Sequence, residues 1–128
     1  MDGNVNIINW FEVSVADINR AKKFYETVFN IQMAGPMDMM GMAMVFFPSV
    51  PGNGKVSGAL AQGPMHQPSS AGVKVYFNGN PDLADALSRV EAAGGRIDMP
   101  KTKIGGDNGF MAFFTDTEGN SIGLHSQN

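Results

Sequence analysis

Phe11, Val13 and Val15 alternate with Trp10, Glu12 and Ser14, the period-two pattern of a half-buried strand, inside an apolar-rich stretch over residues 6–15. The period then changes. Ile18, Ala21, Phe24, Tyr25, Val28 and Phe29 recur at helical spacing, Arg20, Lys22, Lys23 and Glu26 fall between them, and Asp17 stands in front as an N-cap. This predicts a helix of about three turns ending near Asn30. The same plan begins again at Val73, where Val73, Val75 and Phe77 alternate with Lys74 and Tyr76. Asn80-Pro81 then offers an N-cap followed by proline at the first helical position. Leu83, Ala86, Leu87 and Val90 form the apolar stripe, Asp82 and Asp85 suit the first turn, and Gly94-Gly95 stop the helix.

Each helix is followed by three strand-like pieces. In the first half they cover 31–34, 42–47 and 56–62, with Pro51-Gly52-Asn53-Gly54 as turn chemistry. In the second they cover 96–99, 110–115 and 121–125, with Glu118-Gly119-Asn120 turning the last hairpin. Strand, helix and three strands, twice over, predicts an α+β fold of two βαβββ modules in tandem whose sheets together form a curved, cup-like surface. One domain over residues 1–128 is expected, with module one at about 5–62, a Pro-, Ser- and Gly-rich connector at 63–72, and module two at about 73–126.

Composition narrows the chemistry. An apolar content of 43% with 16% charged residues is a globular balance, and the absence of Cys excludes disulfide scaffolds, zinc ribbons, iron–sulfur clusters and thiol nucleophiles. A net charge of −3 with scattered basic residues argues against nucleic acid. The chain has no apolar run of membrane-span length and no leader-like start, so a cytoplasmic protein is expected. Ten Met and only two His stand out.

The segments "WFEVSVADINRAKKFYETVFNIQM", "VYFNGNPDLADALSRVEAAGGRI" and "FFTDTEGNSIGLHS" are similar to the vicinal oxygen chelate superfamily, which includes glyoxalase I, extradiol dioxygenases, and the fosfomycin and bleomycin resistance proteins. The likeness runs from about Asn6 to Ser126 and is greatest to small glyoxalase-like proteins. Its most specific marks are Asp116, Glu118, Gly119 and Asn120 before the final strand, and Phe24-Tyr25 in the first helix. The resemblance implies the cup-shaped fold. It also implies four metal-ligand positions, on strands one, four, five and eight, normally His or Glu. They fall on Trp10, within Gly58-Ala59-Leu60, near Lys74, and on Gly123. Trp, Gly and Ala offer no donor and a protonated Lys repels a cation, so no family-type metal and no cofactor are expected.

Strand alternation places Glu12 and Ser14 on the face of Trp10, Tyr76 with Lys74, and His125 with Gly123. The expected ligand-binding set is therefore Trp10, Glu12, Lys74, Tyr76 and His125, suited to a small molecule with an aromatic or planar part. The first reading is a small-molecule-binding protein of the glyoxalase/bleomycin-resistance type. The alternative is a lyase, isomerase or dioxygenase using a non-standard metal site or Glu12 and His125 as an acid–base pair. Glu12 could also bridge to Lys74, and a homodimer is expected. The methionines of Met37 to Met44 read as core or dimer filling, or as an adaptable pocket wall. The Gly-rich loop from Lys101 to Gly109 reads as a flexible hairpin connection, or as a lid with Lys101 and Lys103 meeting anions. His66, in the connector, reads as solvent-facing.

Overall fold

A computed structural model describes all 128 residues. The first half holds β1 (Phe11–Ser14), α1 (Ile18–Phe29), β2 (Ala34–Met39), β3 (Met42–Phe46) and β4 (Gly58–Gln62). The second holds β5 (Tyr76–Asn78), α2 (Ala84–Leu87), β6 (Arg96–Lys103), β7 (Phe110–Thr115) and β8 (Ser121–Ser126). The α+β fold is two four-stranded sheets of matching order, β1-β4-β3-β2 and β5-β8-β7-β6. In each the first strand runs parallel to the last and the remaining pairs are antiparallel. Val15 N–H donates to the Ala61 carbonyl at 3.0 Å and Gly79 N–H to the His125 carbonyl at 2.7 Å, so the rungs Glu12/Ala59 and Tyr76/Gly123 occupy equivalent places.

The helical period of α1 is realised almost to the residue. Asp17 is extended and its carboxylate accepts from Arg20 N–H at 3.1 Å, while Asn30 ends the helix in the left-handed region at φ 52°. Its buried face, Ile18, Ala21, Phe24, Tyr25 and Val28, serves both sheets. The Tyr25 ring lies 5.8 Å from both Phe47 and Phe77, and Phe24 lies 5.8 Å from Phe114. Residues of both sheets and both helices therefore join one hydrophobic core.

The Asp-Thr-Glu-Gly-Asn turn before β8 ties the halves together. Tyr25 Oη donates to Asp116 Oδ2 at 2.6 Å, and Asn120 Nδ2 donates to the Ser14 carbonyl at 2.7 Å. Glu118 Oε1 accepts from the Ala16 and Asp17 amides at 2.9 and 2.8 Å, and Arg20 Nε reaches Oε2 at 2.8 Å. Burial pushes the Glu118 carboxyl up, but hydrogen bonds from Arg20, the Asp17 amide, Thr117 and the Ala16 amide outweigh it and hold the group below its ordinary value. Burial first, and the Asp116 carboxylate second, push the Tyr25 hydroxyl well above its ordinary value. The motif's acidic residues are thus spent on the fold.

Several element limits differ from the pattern. β1 is limited to Phe11–Ser14, because those residues alone pair with β4. β2 starts at Ala34 and runs to Met39, because Met40 and Gly41 adopt φ 55° and 79° and fold the methionine stretch into a hairpin. The second helix has Leu83 at its N-cap, not Asn80. Asn80 Oδ1 is engaged by Gln127 N–H at 2.8 Å, and Asp82 Oδ1 takes the Ala84 amide at 2.9 Å. Residues 101–103 belong to β6, and Lys101 is paired with Asp82 at 2.8 Å, so that lysine faces a carboxylate of its own chain. No helix is long and apolar enough to cross a membrane.

Candidate functional site

The register divides each sheet into a helix face and an outer face. Val13, Leu60 and Val45 lie on adjacent strands and enter the core against α1. Glu12 is opposite Ala59, Ala59 opposite Phe46, Ala61 opposite Met44, and Met44 opposite Met37, so these share the outer face of the first sheet. Small residues at Ala59 and Ala61 leave that face shallow. On the second sheet Tyr76 is opposite Gly123 and Gly123 opposite Phe113, again on the outer face.

A cleft of about 990 Å³ opens between β1 and β5. The structure brings four of the five candidate residues to it: Trp10, Glu12, Lys74 and Tyr76, with Phe11, Phe47 and Phe77 at its base. Trp10 is 45% and Tyr76 50% exposed, large aromatic surfaces for a folded domain to leave in water. Trp10 leans on Phe46 at 6.1 Å, and its Nε1 donates to Glu12 Oε2 at 3.3 Å. Tyr76 packs edge-on to Phe113 at 5.4 Å and covers Gly123, where a Cβ would stand 2.6 Å from the ring. That glycine is what lets the ring lie down. Lys74 Nζ donates to the Ser70 carbonyl at 3.0 Å, so it does not bridge to Glu12.

His125 does not line this cleft; it lies in an adjoining pocket of about 420 Å³ with Tyr76, Asn78, Ile104 and Met111, and Tyr76, Phe77 and Asn78 line both spaces. Its Nε2 is 2.8 Å from the Asn108 carbonyl. Glu12 and His125 are therefore not partnered with each other. The imidazole on Glu12 belongs to His66, whose Nε2 is 2.8 Å from Oε1. This corrects the expectation that His66 faces solvent: its side chain is 12% exposed. His66 N–H closes a turn on the Gly63 carbonyl at 3.0 Å, which folds the connector back over the first sheet. Gly63-Pro64 signals such a turn in the sequence, but no local pattern says that it ends on a residue 54 positions earlier.

The donor set does not fit the divalent metal that the resemblance implies. At the four positions stand an indole, the Gly58-Ala59-Leu60 segment whose outward residue is Ala59, an ammonium, and Gly123 with a ring lying over it. No three of the His, Asp and Glu side chains are grouped closely enough to hold an ion.

The family model described as "Glyoxalase/Bleomycin resistance protein/Dioxygenase superfamily" matches residues 7–124. A Mycobacterium bovis protein provisionally named glyoxylase CFP32 is 30% identical over 94% of this chain and 45% of its own length. The chain thus spans about half the length of the curated relatives it matches. Among solved structures, TnmS3, described as an antibiotic binding protein from a Streptomyces species, has TM-score 0.68 at 24% identity, covering 97% of this chain and 98% of its own. A glyoxalase I mutant from Zea mays has TM-score 0.72 at 20% identity, covering 93% of this chain and 46% of its own.

Proposed function

The chain belongs to the glyoxalase/bleomycin resistance protein/dioxygenase superfamily, and from that premise we propose that it is a small-molecule-binding protein whose ligand, with an aromatic or planar part, sits between Trp10 and Tyr76. The observation that carries the reading is the β1–β5 cleft, of ligand size, with two half-exposed aromatic side chains on its walls and no metal-holding group of acids and histidines. Stacking would remove apolar ring surface from water at about 25 cal/mol per Å², and Glu12 and Lys74 would orient a polar substituent. His125, across Tyr76, would meet a ligand long enough to reach the second pocket. The antibiotic-binding description of the Streptomyces neighbour is consistent with this fold serving as a binding scaffold. A homodimer in the cytoplasm is part of the same reading, since exposed Ile7, Ile8 and Val73 at the cleft offer an apolar rim for a second copy.

The test is binding of 1-anilinonaphthalene-8-sulfonate, a planar aromatic anion, followed by its own emission, together with native mass spectrometry of the freshly purified protein. Saturable binding that weakens about tenfold in Tyr76→Ala is expected. Equal binding by that variant would overturn the assignment. A second reading, a lyase or isomerase with acid–base chemistry, is favoured by the Glu12–His66 contact in place of the Glu12–His125 pair. It requires turnover that Glu12→Gln abolishes; a substrate turned over equally by this variant removes it.

A further inference from the structure

We propose that the outer face of the first sheet carries a site for a soft monovalent cation of the Cu(I) type, held by the thioethers of Met42 and Met44 together with His66 Nδ1. The β2–β3 register sets Met37 opposite Met44 and Met39 opposite Met42. Because residues two apart on a strand share a face, the four thioethers form a two-by-two array on one side of the hairpin. Met44 is buried while Met37 and Met39 are half exposed, so the array runs from the interior to solvent. Apolar packing alone does not require four flexible thioethers where two remain in water.

His66 supplies the second, independent observation. The Glu12 carboxylate can only accept, so the 2.8 Å contact places a ring proton on Nε2; in the neutral ring the lone pair is then on Nδ1. That Nδ1 is buried and has no hydrogen-bond partner. A desolvated lone pair without a donor is uncompensated, and a cation is what would satisfy it. An imidazole that gives one N–H to a carboxylate and turns the other nitrogen inward has the arrangement of a metal-ligating histidine. The turn carrying it rests on the array: a Cβ at Gly63, which is bridged to His66, would lie 2.9 Å from Met42 Cγ. Thioether and imidazole donors without a carboxylate in direct contact select Cu(I) over hard divalent ions. The site adjoins the β1–β5 cleft and shares Glu12 with it, but its donors Met42, Met44 and His66 do not line that cleft.

The experiment titrates the full chain, labelled at the methionine ε-methyl carbons, with silver nitrate in chloride-free buffer, and repeats the titration with Cu(I) against bicinchoninate under anaerobic conditions. One equivalent is expected to bind and to shift the Met42 and Met44 methyl resonances. Glu12→Gln and His66→Ala should weaken binding by about 10- to 100-fold, and Met42→Leu with Met44→Leu by at least about tenfold. Met40→Leu and Met65→Leu, both at highly exposed positions, should change nothing. Shifts as large at Met40 and Met65, or an affinity unchanged by His66→Ala, would overturn the site. Leu conserves the Met volume, and the resonance shifts need no variant, so the result stands even where the double variant fails to fold.

Discussion

Tyr25→Phe removes one oxygen from the centre of the molecule and nothing else. The Tyr25 side chain is fully buried, Asp116 is 4% exposed, and the bond between them is 2.6 Å. The ring contacts to Phe24, Phe29, Phe47 and Phe77 are all retained by Phe, so the transfer and cavity terms stay small. What is lost is a hydrogen bond to a charged acceptor. Asp116 keeps the Glu118 and Asn120 amides on Oδ1, both at 2.9 Å, but Oδ2 is left with Asn120 Nδ2 alone at 3.0 Å. Hydrogen bonds to charged groups contribute about 1.5–3 kcal/mol, so the expected loss is about 2 kcal/mol. At the usual unfolding entropy per residue this lowers the melting midpoint by roughly 7 °C for a chain of this size. Urea unfolding followed by far-ultraviolet circular dichroism reads it directly, with Tyr76→Phe, at an exposed position, as the control within about 0.5 kcal/mol. A Tyr25→Phe loss below about 0.5 kcal/mol would refute the claim that this bond latches the last hairpin to α1.

Acid should weaken the protein through the same latch. The carboxyl of Glu118 lies below its ordinary value of 4.5, so its stabilisation is fully present above that value and is lost as pH falls through the folded value. Urea midpoints measured from pH 6 to pH 3 should fall, and Glu118→Gln should flatten that fall; an acid limb unchanged in the variant would count against the sign. Tyr25 runs the other way at high pH: its raised value means stability present below about 10 and lost as pH climbs toward the folded value. A phenolate absorbance step from Tyr25 should therefore coincide with alkaline unfolding rather than precede it. Gly123→Ala would place a Cβ 2.6 Å from the Tyr76 ring and lift it, so aromatic probe binding should weaken with a stability cost of about 1–3 kcal/mol from overpacking. Unchanged probe affinity in a folded Gly123→Ala protein would show that the ring position is immaterial.

The parts of this molecule written in local pattern are visible in the sequence. The 3.6-residue stripe from Ile18 to Val28, the Asp17 cap and the alternation around Glu12 specify α1 and the two faces of β1, because periodicity decides burial. Trp10, Glu12, Lys74 and Tyr76 line one cleft, but Phe11, Val75 and Phe77 line it too, so alternation alone does not select its walls. Contacts made by chain reversal are not visible in this way. Nothing near His66 marks it as the partner of Glu12, and nothing near Asn80 marks that its side chain goes to Gln127 rather than to a helix start. The Asp116 to Asn120 motif is legible as a family mark, while its work as a hydrogen-bonded latch depends on α1 lying against it, a tertiary fact.

The most direct measurement of the central claim uses Trp10, the single tryptophan, placed on the cleft wall. Its emission is followed while 1-anilinonaphthalene-8-sulfonate is added to the full chain, with and without excess EDTA. Saturable quenching with the same midpoint in both titrations is expected. Quenching that EDTA abolishes, or none at any probe concentration, would contradict the claim.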